Sequence, residues 1–365
     1  ASNTKIFTLF ACLNILGDSV PALQYVSAGD SLYFRGTGDP SLLNRNVFDN
    51  GRTMLFLSQW NDLFYYPYNF FTTHFGPGWS WEDYPYAFSA ERSAFPLYGN
   101  VFEIEEEAGG MLIVSPPSFS EIVSIGDSLE ESKAIRAVES NRISYNPGHQ
   151  QKSMKWTIPF RSDSSLLIKL LEDTLKRNII IADTFPRKNI QTLYSIPSDS
   201  LYKIMMQESD NFIAEQLLLL CASMLSDSLK PEITIKYVSE NLLDDLPDKP
   251  VWIDGSGLSR YNLFTPRSIV KLWEKIYQLV PQHRLFSILA AGGKPGTIRN
   301  YFRSEVPYVF GKTGTLSNVH CLSGYLITKK GKRLLFSFMN TNFTTRVSEV
   351  RKMMEEVLNL IHEKY

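Results

Sequence analysis

Cysteine is scarce: the 365 residues hold three, Cys12, Cys221 and Cys321. Three thiols cannot all pair, and Cys12 and Cys221 lie in apolar runs of helical character. A small buried thiol is the ordinary expectation there, so neither a disulfide framework nor a redox centre is indicated. Histidine is also sparse, and the five, at positions 74, 149, 283, 320 and 362, show no ligand spacing. No metal and no other cofactor is expected. An excess of one charge is missing too: 37 Lys and Arg against 38 Asp and Glu leave a net charge of -1, which gives no basis for a nucleic-acid partner. No apolar run reaches the length of a membrane span. The stretch 347–365, with Val350, Met353, Met354, Val357, Leu358 and Ile361, has the spacing of a helix packed on a domain rather than of an anchor. Gly36-Thr37-Gly38 before Asp39-Pro40 lacks the third glycine of a dinucleotide fingerprint and reads as a turn that ends a strand.

What is present is a hydrophobic content of 44% in a chain long enough for two or three domains, and three short motifs in a fixed order. They are Ser2-Asn3-Thr4-Lys5, Ser209-Asp210-Asn211 and Lys312-Thr313-Gly314. Each alone has an ordinary structural reading: Ser-Asp-Asn suits a helix N-cap, Lys-Thr-Gly the start of a strand, and Ser-x-x-Lys a solvated helix face. Ser-x-x-Lys also recurs at Ser200 to Lys203 and at Ser268 to Lys271. Context separates Ser2 from those rivals. After Lys5 the chain runs Ile6-Phe7-Thr8-Leu9-Phe10-Ala11-Cys12-Leu13, apolar nearly all round, as in a helix at the centre of a domain. A serine at its head meets the positive end of the helix dipole, with a lysine one turn along on the same side. Ser200 and Ser268 read as surface helix positions. A serine hydroxyl is barely nucleophilic without an adjacent base, and a lysine that serves as one must be depressed from its usual pKa near 10.4 by burial and by a neighbouring positive charge, which Lys312 could supply.

Ala1-Ser2-Asn3-Thr4-Lys5, Ser209-Asp210-Asn211, the run Asp254-Gly255-Ser256-Gly257-Leu258-Ser259-Arg260-Tyr261-Asn262, and Gly311-Lys312-Thr313-Gly314-Thr315-Leu316 together resemble the low-molecular-mass penicillin-binding proteins. The likeness is to D-alanyl-D-alanine carboxypeptidases/endopeptidases that carry a large insertion between the first two motifs. Gly36-Thr37-Gly38-Asp39-Pro40 and Gly78-Trp79-Ser80-Trp81-Glu82-Asp83-Tyr84-Pro85-Tyr86 add to it, so it spans most of the chain.

The resemblance implies an α+β fold of the penicillin-binding and serine β-lactamase type, an antiparallel sheet with helices on both sides, carrying β-rich inserted domains. It implies Ser2 as nucleophile, Lys5 as its base, Ser209 as a proton relay to the leaving amine, and Asn211 as a partner of the substrate amide and of Lys5. Lys312, Thr313, Gly314 and Thr315 would hold the terminal carboxylate, and the backbone N–H groups of Ser2 and Thr315 the oxyanion. Asp83 and Arg260 are the candidates for binding the zwitterionic end of a peptidoglycan side chain. The implied partners are peptidoglycan peptides, with β-lactams as covalent inhibitors, and the implied location is periplasmic or otherwise extracytoplasmic. Members of the family carry a signal peptide and a further segment before the nucleophile, whereas this chain starts one residue ahead of Ser2; it is expected to be a fragment or a processed, incompletely represented chain. A β-lactamase would share the three motifs but needs a deacylating base, for which no counterpart is readable. A non-catalytic peptidoglycan-binding homologue would have lost part of the set that is kept here.

The motifs divide the chain. From 26 to 192 short strand-like runs, such as Tyr33-Phe34, Met111 to Val114 and Lys155 to Ile158, alternate with Pro/Gly turns, so this stretch is expected to form the insertion, with a nested module at about 100–160. The catalytic part is then discontinuous, 1–25 and 193–365, with helices around Ser209, strands at 308–312, 322–328 and 334–339, and a final helix.

Overall fold

The computed structural model describes residues 1–107, 110–148 and 153–365, so His149 lies outside the described residues. The chain forms two compact units: Ala1–Val20, Gly76–Trp79 and Ile196–Tyr365 make the first, and Pro21–Phe75 with Ser80–Ser195 the second. The first opens with a 3-10 turn, Ser2–Thr4, running straight into helix α1, Lys5–Ile15. Every residue from Lys5 to Cys12 is buried, as an all-round apolar sequence requires.

The second unit follows in sequence as β1 (Ser19–Ala28), β2 (Ser31–Gly36), α2 (Arg52–Ser58), β3 (Asp62–Tyr65), β4 (Val101–Glu106), β5 (Leu112–Ser115), β6 (Val123–Ile125), β7 (Lys133–Arg136), β8 (Ile143–Asn146), β9 (Met154–Pro159), α3 (Ser164–Leu175), β10 (Ile179–Ile181) and β11 (Gln191–Pro197). Its strands form a five-stranded sheet in the order β10-β3-β2-β1-β11 and two three-stranded sheets, β5-β4-β9 and β6-β8-β7. Along β4 burial alternates, and Phe102 and Ile104 enter a core shared with Phe34, Phe95, Leu170 and Leu171. Asp163 caps α3 by accepting from the Leu166 N–H at 2.8 Å, which aims Leu167, Leu170 and Leu171 at that core. The unit boundaries fall within β1, after Val20, and within β11, after Ser195.

The chain returns to the first unit through α4 (Ser198–Lys203), α5 (Asn211–Leu225), α6 (Pro231–Asn241), α7 (Pro266–Leu279), α8 (Gln282–Ile288), β12 (Ala290–Ala291), β13 (Val309–Leu316), β14 (Val319–Ile327), β15 (Arg333–Thr341) and α9 (Val347–Lys364). The four strands pair antiparallel in the order β12-β13-β14-β15. Side-chain alternation along β14 shows which helix covers which face. Ser323 accepts from the buried Trp273 indole of α7 at 3.0 Å, and the Tyr325 hydroxyl donates to the Trp273 carbonyl at 2.7 Å. Leu322 and Leu326, on the other face, pack with Val350, Met354 and Leu358 of α9. The fold is therefore α+β, an antiparallel sheet with helices on both sides.

Two sequence expectations change in detail. Ser268 is not a surface position: it is buried in the first turn of α7, where its hydroxyl donates to the Asp248 carbonyl and accepts from the Asp248 N–H, each at 3.0 Å. The loop holding Asp248 folds over the helix start, a contact that helical periodicity does not reveal. On α9 the apolar stripe is narrower than its composition suggests, since Met353 and Val357 are exposed while Val350, Met354 and Leu358 are buried. Among the described residues no helix is long and apolar enough to cross a membrane. Cys12, Cys221 and Cys321 are buried free thiols, with the Cys12 and Cys221 sulfurs 3.7 Å apart where α1 meets α5.

Candidate active site

Ser2 sits in the 3-10 turn and Lys5 at the first position of α1, so one helical turn places both side chains on one side. The fully buried Lys5 Nζ donates to Ser2 Oγ at 3.0 Å, to Asn211 Oδ1 at 2.6 Å and to the Ser256 carbonyl at 2.7 Å. Three acceptors match the three donors of an ammonium. Burial pulls the lysine from 10.5 down to about 8, against the opposing charges of Asp210, Asp254 and Glu215. A neutral amine beside a serine hydroxyl is the arrangement that generates an alkoxide-like nucleophile.

Three parts of this cradle were not singled out from sequence. Glu215, buried one turn after Asn211 on α5, accepts from the Ser256 N–H at 2.7 Å and so fixes the carbonyl that Lys5 meets. Asp254 is a buried hub: its carboxylate accepts from the N–H groups of Gly257 (2.9 Å) and Ser259 (2.6 Å), from Asn262 Nδ2 (2.8 Å) and from the Trp79 indole (2.9 Å). Trp79 thereby ties residues 76–79 to the first unit, although its sequence run was read with the insertion. The signal for Glu215 was available, since a glutamate inside the run Phe212 to Leu220 of a buried helix requires a partner.

Between α4 and α5 the chain makes a π-helical turn, Ile204–Glu208, and leaves it at Ser209 with φ 65° and ψ 32°. A serine in the left-handed region costs energy and persists only where its surroundings hold it. Asp210 then caps α5, accepting from the Ile213 N–H at 2.8 Å, so the ordinary N-cap reading of this motif also holds. The turn delivers Ser209 Oγ to Lys312 Nζ, which donates to it at 2.8 Å and to the Thr313 carbonyl at 2.8 Å. Lys312 is fully buried on β13, and burial first, then the charge of Lys5, hold it well below the ordinary lysine range. The coupling between the two lysines thus falls on Lys312, whereas the depression of Lys5 comes from burial.

β12 pairs only with Phe310 and Gly311, so beyond them that edge of β13 is left to the Ser2 turn. Gly314 makes the approach possible: a Cβ there would lie 2.8 Å from the Ser2 nitrogen and 2.9 Å from that of Asn3. Gly314→Ala should therefore shift Ser2 from Lys5 and lower its acylation rate by about 10²-fold, the usual consequence of an ångström-scale misplacement. Retained circular dichroism with slowed acylation would bear this out; acylation at the wild-type rate would refute it. Next along β13, Thr315 Oγ1 lies 2.9 Å from Nδ1 of the buried His320 on β14 and 3.4 Å from Arg351 Nη2 on α9.

A sequence profile of the D-Ala-D-Ala carboxypeptidase 3 (S13) family matches residues 1–361. The chain belongs to that family. It is thereby placed among the serine D-Ala-D-Ala carboxypeptidases, which are hydrolases. It is similar to the D-alanyl-D-alanine carboxypeptidase DacB of Haemophilus influenzae, 24% identical over all of this chain and 86% of that protein. Its fold is that of the crystal structure of penicillin binding protein 4 from the same organism, at a TM-score of 0.76 and 21% identity, covering 100% of this chain and 91% of that one. That protein has also been solved in complex with a β-lactam, where the TM-score is 0.72. A predatory peptidoglycan endopeptidase from Bdellovibrio bacteriovorus shares the fold at a TM-score of 0.55 and 16% identity, covering 100% of this chain and 88% of its own.

The remaining two family-implied residues lie apart in the chain's organisation. Arg260 is exposed in the first unit, its N–H donating to the Gly78 carbonyl at 3.2 Å. Asp83 ends a 3-10 turn, Trp81–Asp83, in the second unit.

Proposed function

We propose that this chain removes the terminal D-alanine from peptidoglycan stem peptides through an acyl-enzyme on Ser2. The observation that carries the reading is Lys5 Nζ, buried, pulled to about 8 and 3.0 Å from Ser2 Oγ. Ser2 Oγ attacks the carbonyl of the penultimate D-alanine while Lys5 Nζ takes the hydroxyl proton. The oxyanion forms against the backbone N–H groups of Ser2 and Thr315. As the C–N bond breaks, the proton that Lys5 took passes through Ser209, whose oxygen is hydrogen-bonded to Lys312, to the leaving amine, and Lys5 is neutral again. Water then attacks the ester, Lys5 accepts its proton, and Ser2 is regenerated. Asn211 holds Lys5 and the substrate amide, and Lys312, Thr313, Gly314 and Thr315 receive the terminal carboxylate, which restricts the reaction to a chain end. Cleavage of a cross-link, the chemistry named for the Bdellovibrio protein, would use the same nucleophile and base. Such substrates imply a periplasmic or otherwise extracytoplasmic place of action, and β-lactams would acylate Ser2. The test is release of D-alanine from a stem pentapeptide with no release of D-alaninamide from its C-terminal amide. No release from the free acid would overturn the reading.

Arg260 and Asp83 are proposed, each by itself, as charge partners for the free end of the stem-peptide side chain. Arg260→Ala and Asp83→Ala should each lower kcat/KM for a peptide with a zwitterionic side-chain end by about 1–3 kcal/mol, and leave acylation by benzylpenicillin, which has no such group, unchanged. Equal losses on both substrates would mark either residue as structural.

A further inference from the structure

The side chains grouped around Thr315 have no role in the chemistry above, and their geometry gives them one. Thr315 and His320 are paired across β13 and β14, so their side chains share the face covered by α9. Arg351, on the second turn of α9, reaches the same threonine oxygen, and its guanidinium lies 6.0 Å from the Tyr301 ring centroid. Tyr301, His320 and Arg351 line one small pocket with Thr313.

A threonine hydroxyl has one proton and two lone pairs. Arg351 can only donate, so it occupies one lone pair. His320 decides the rest. Were its Nδ1 bare, the threonine proton would turn inward to the ring, and only lone pairs would face the open side of β13. They would repel a carboxylate. With the proton on Nδ1, histidine and arginine together fill both lone pairs, and the hydroxyl proton is driven outward. We propose that His320, as its Nδ1–H tautomer, is a positioning residue that, with Arg351, orients the Thr315 hydroxyl to donate to the terminal carboxylate of the substrate. Burial and the Arg351 charge hold the ring at a pKa of about 4, so it is neutral at working pH and the choice lies between two neutral tautomers.

The inference rests on the carboxylate-binding reading of Thr315, and the test separates the two. Acylation rates are measured with benzylpenicillin and with its methyl ester, and the acid-to-ester ratio is taken within one protein preparation, so that partial unfolding cancels. Thr315→Val should lower the ratio; if it does not, the reading of Thr315 fails. Given that loss, His320→Ala should lower the ratio roughly ten-fold, as for one misdirected hydrogen bond, and His320→Asn, whose amide N–H falls near Nδ1, should restore most of it. Arg351→Met should lower it by less, and stands in if His320→Ala does not fold. Equal losses on acid and ester in His320→Ala would reduce the residue to packing. A ratio abolished by Arg351→Met but untouched at His320 would assign the carboxylate to the arginine directly. Nitrogen NMR of the wild-type ring should show a protonated Nδ1; a bare Nδ1 would overturn the tautomer.

Discussion

Incubation with benzylpenicillin should leave one penicilloyl group on Ser2 and on no other residue, and Ser2→Ala should take up none. The expected fall in acylation rate is about 10⁴-fold or more, as when a nucleophile is removed from a group that acts as a unit. Intact mass followed by peptide mapping reads both outcomes. The two other Ser-x-x-Lys serines are poor rivals on structural grounds. Ser268 is locked between the backbone groups of Asp248, and Ser200 is followed by an exposed Lys203, whereas Lys5 is fully buried. An adduct mapped to either would sink the assignment of Ser2. The adduct should also be long-lived. The buried carboxylates around Lys5 are already occupied: Asp210 caps α5, Glu215 holds Ser256, and Asp254 holds its own loop. None is left to activate a deacylating water, so rapid turnover of a chromogenic cephalosporin would turn the reading toward a β-lactamase.

Loss of Lys5 should be nearly as damaging. Removing a general base costs about 10²–10⁴-fold, and Lys5→Ala should fall in that range at neutral pH. The wild-type pH profile should carry the same signature. The reactive form is the neutral amine, so acylation should rise as pH increases toward about 8 and level off above it. Near neutrality only about a tenth of the lysine would be neutral, and one pH unit upward should raise the rate about five-fold. Lys5→Ala should lose this rise. Lys312→Ala should keep it and chiefly weaken recognition of the carboxylate, since Lys312 reaches Ser209 and not Ser2. Wild-type acylation by Lys5→Ala would eliminate it as the base.

The parts of the site that could be read from sequence are those whose signal is local. The nearly all-apolar run after Lys5 requires a buried helix, and serine and lysine one turn apart at its head offer a candidate nucleophile beside a candidate base before any tertiary contact is known. Lys-Thr-Gly announced a strand because its neighbours have strand composition. What could not be read depends on distant segments: Glu215 meets Ser256, Trp79 meets Asp254, and His320 meets Thr315 across a strand pair whose register no single strand determines. Ser268 is buried against the surface expectation for the same reason, because burial by a loop leaves no periodicity. The left-handed Ser209 is legible only once the π-turn before it is seen.

The chain order of the site has a consequence for how this protein is made. Lys5 meets Asn211 206 residues away, and Asn3 meets Ser323 at a separation of 320. Closing the first of these loops as a flexible chain costs about 3 kcal/mol more than closing one of ten residues. The second unit relieves much of that cost, because β1 and β11, its first and last strands, are neighbours in one sheet. Once that sheet forms, the end of α1 and the start of α4 are tethered, and the long loop becomes a short one. The second unit is thus expected to fold ahead of the first, and the nucleophile remains unassembled until β13 and β14 have been synthesised. A growing chain would therefore carry no hydrolase, and no target for a β-lactam, before β14 has been made.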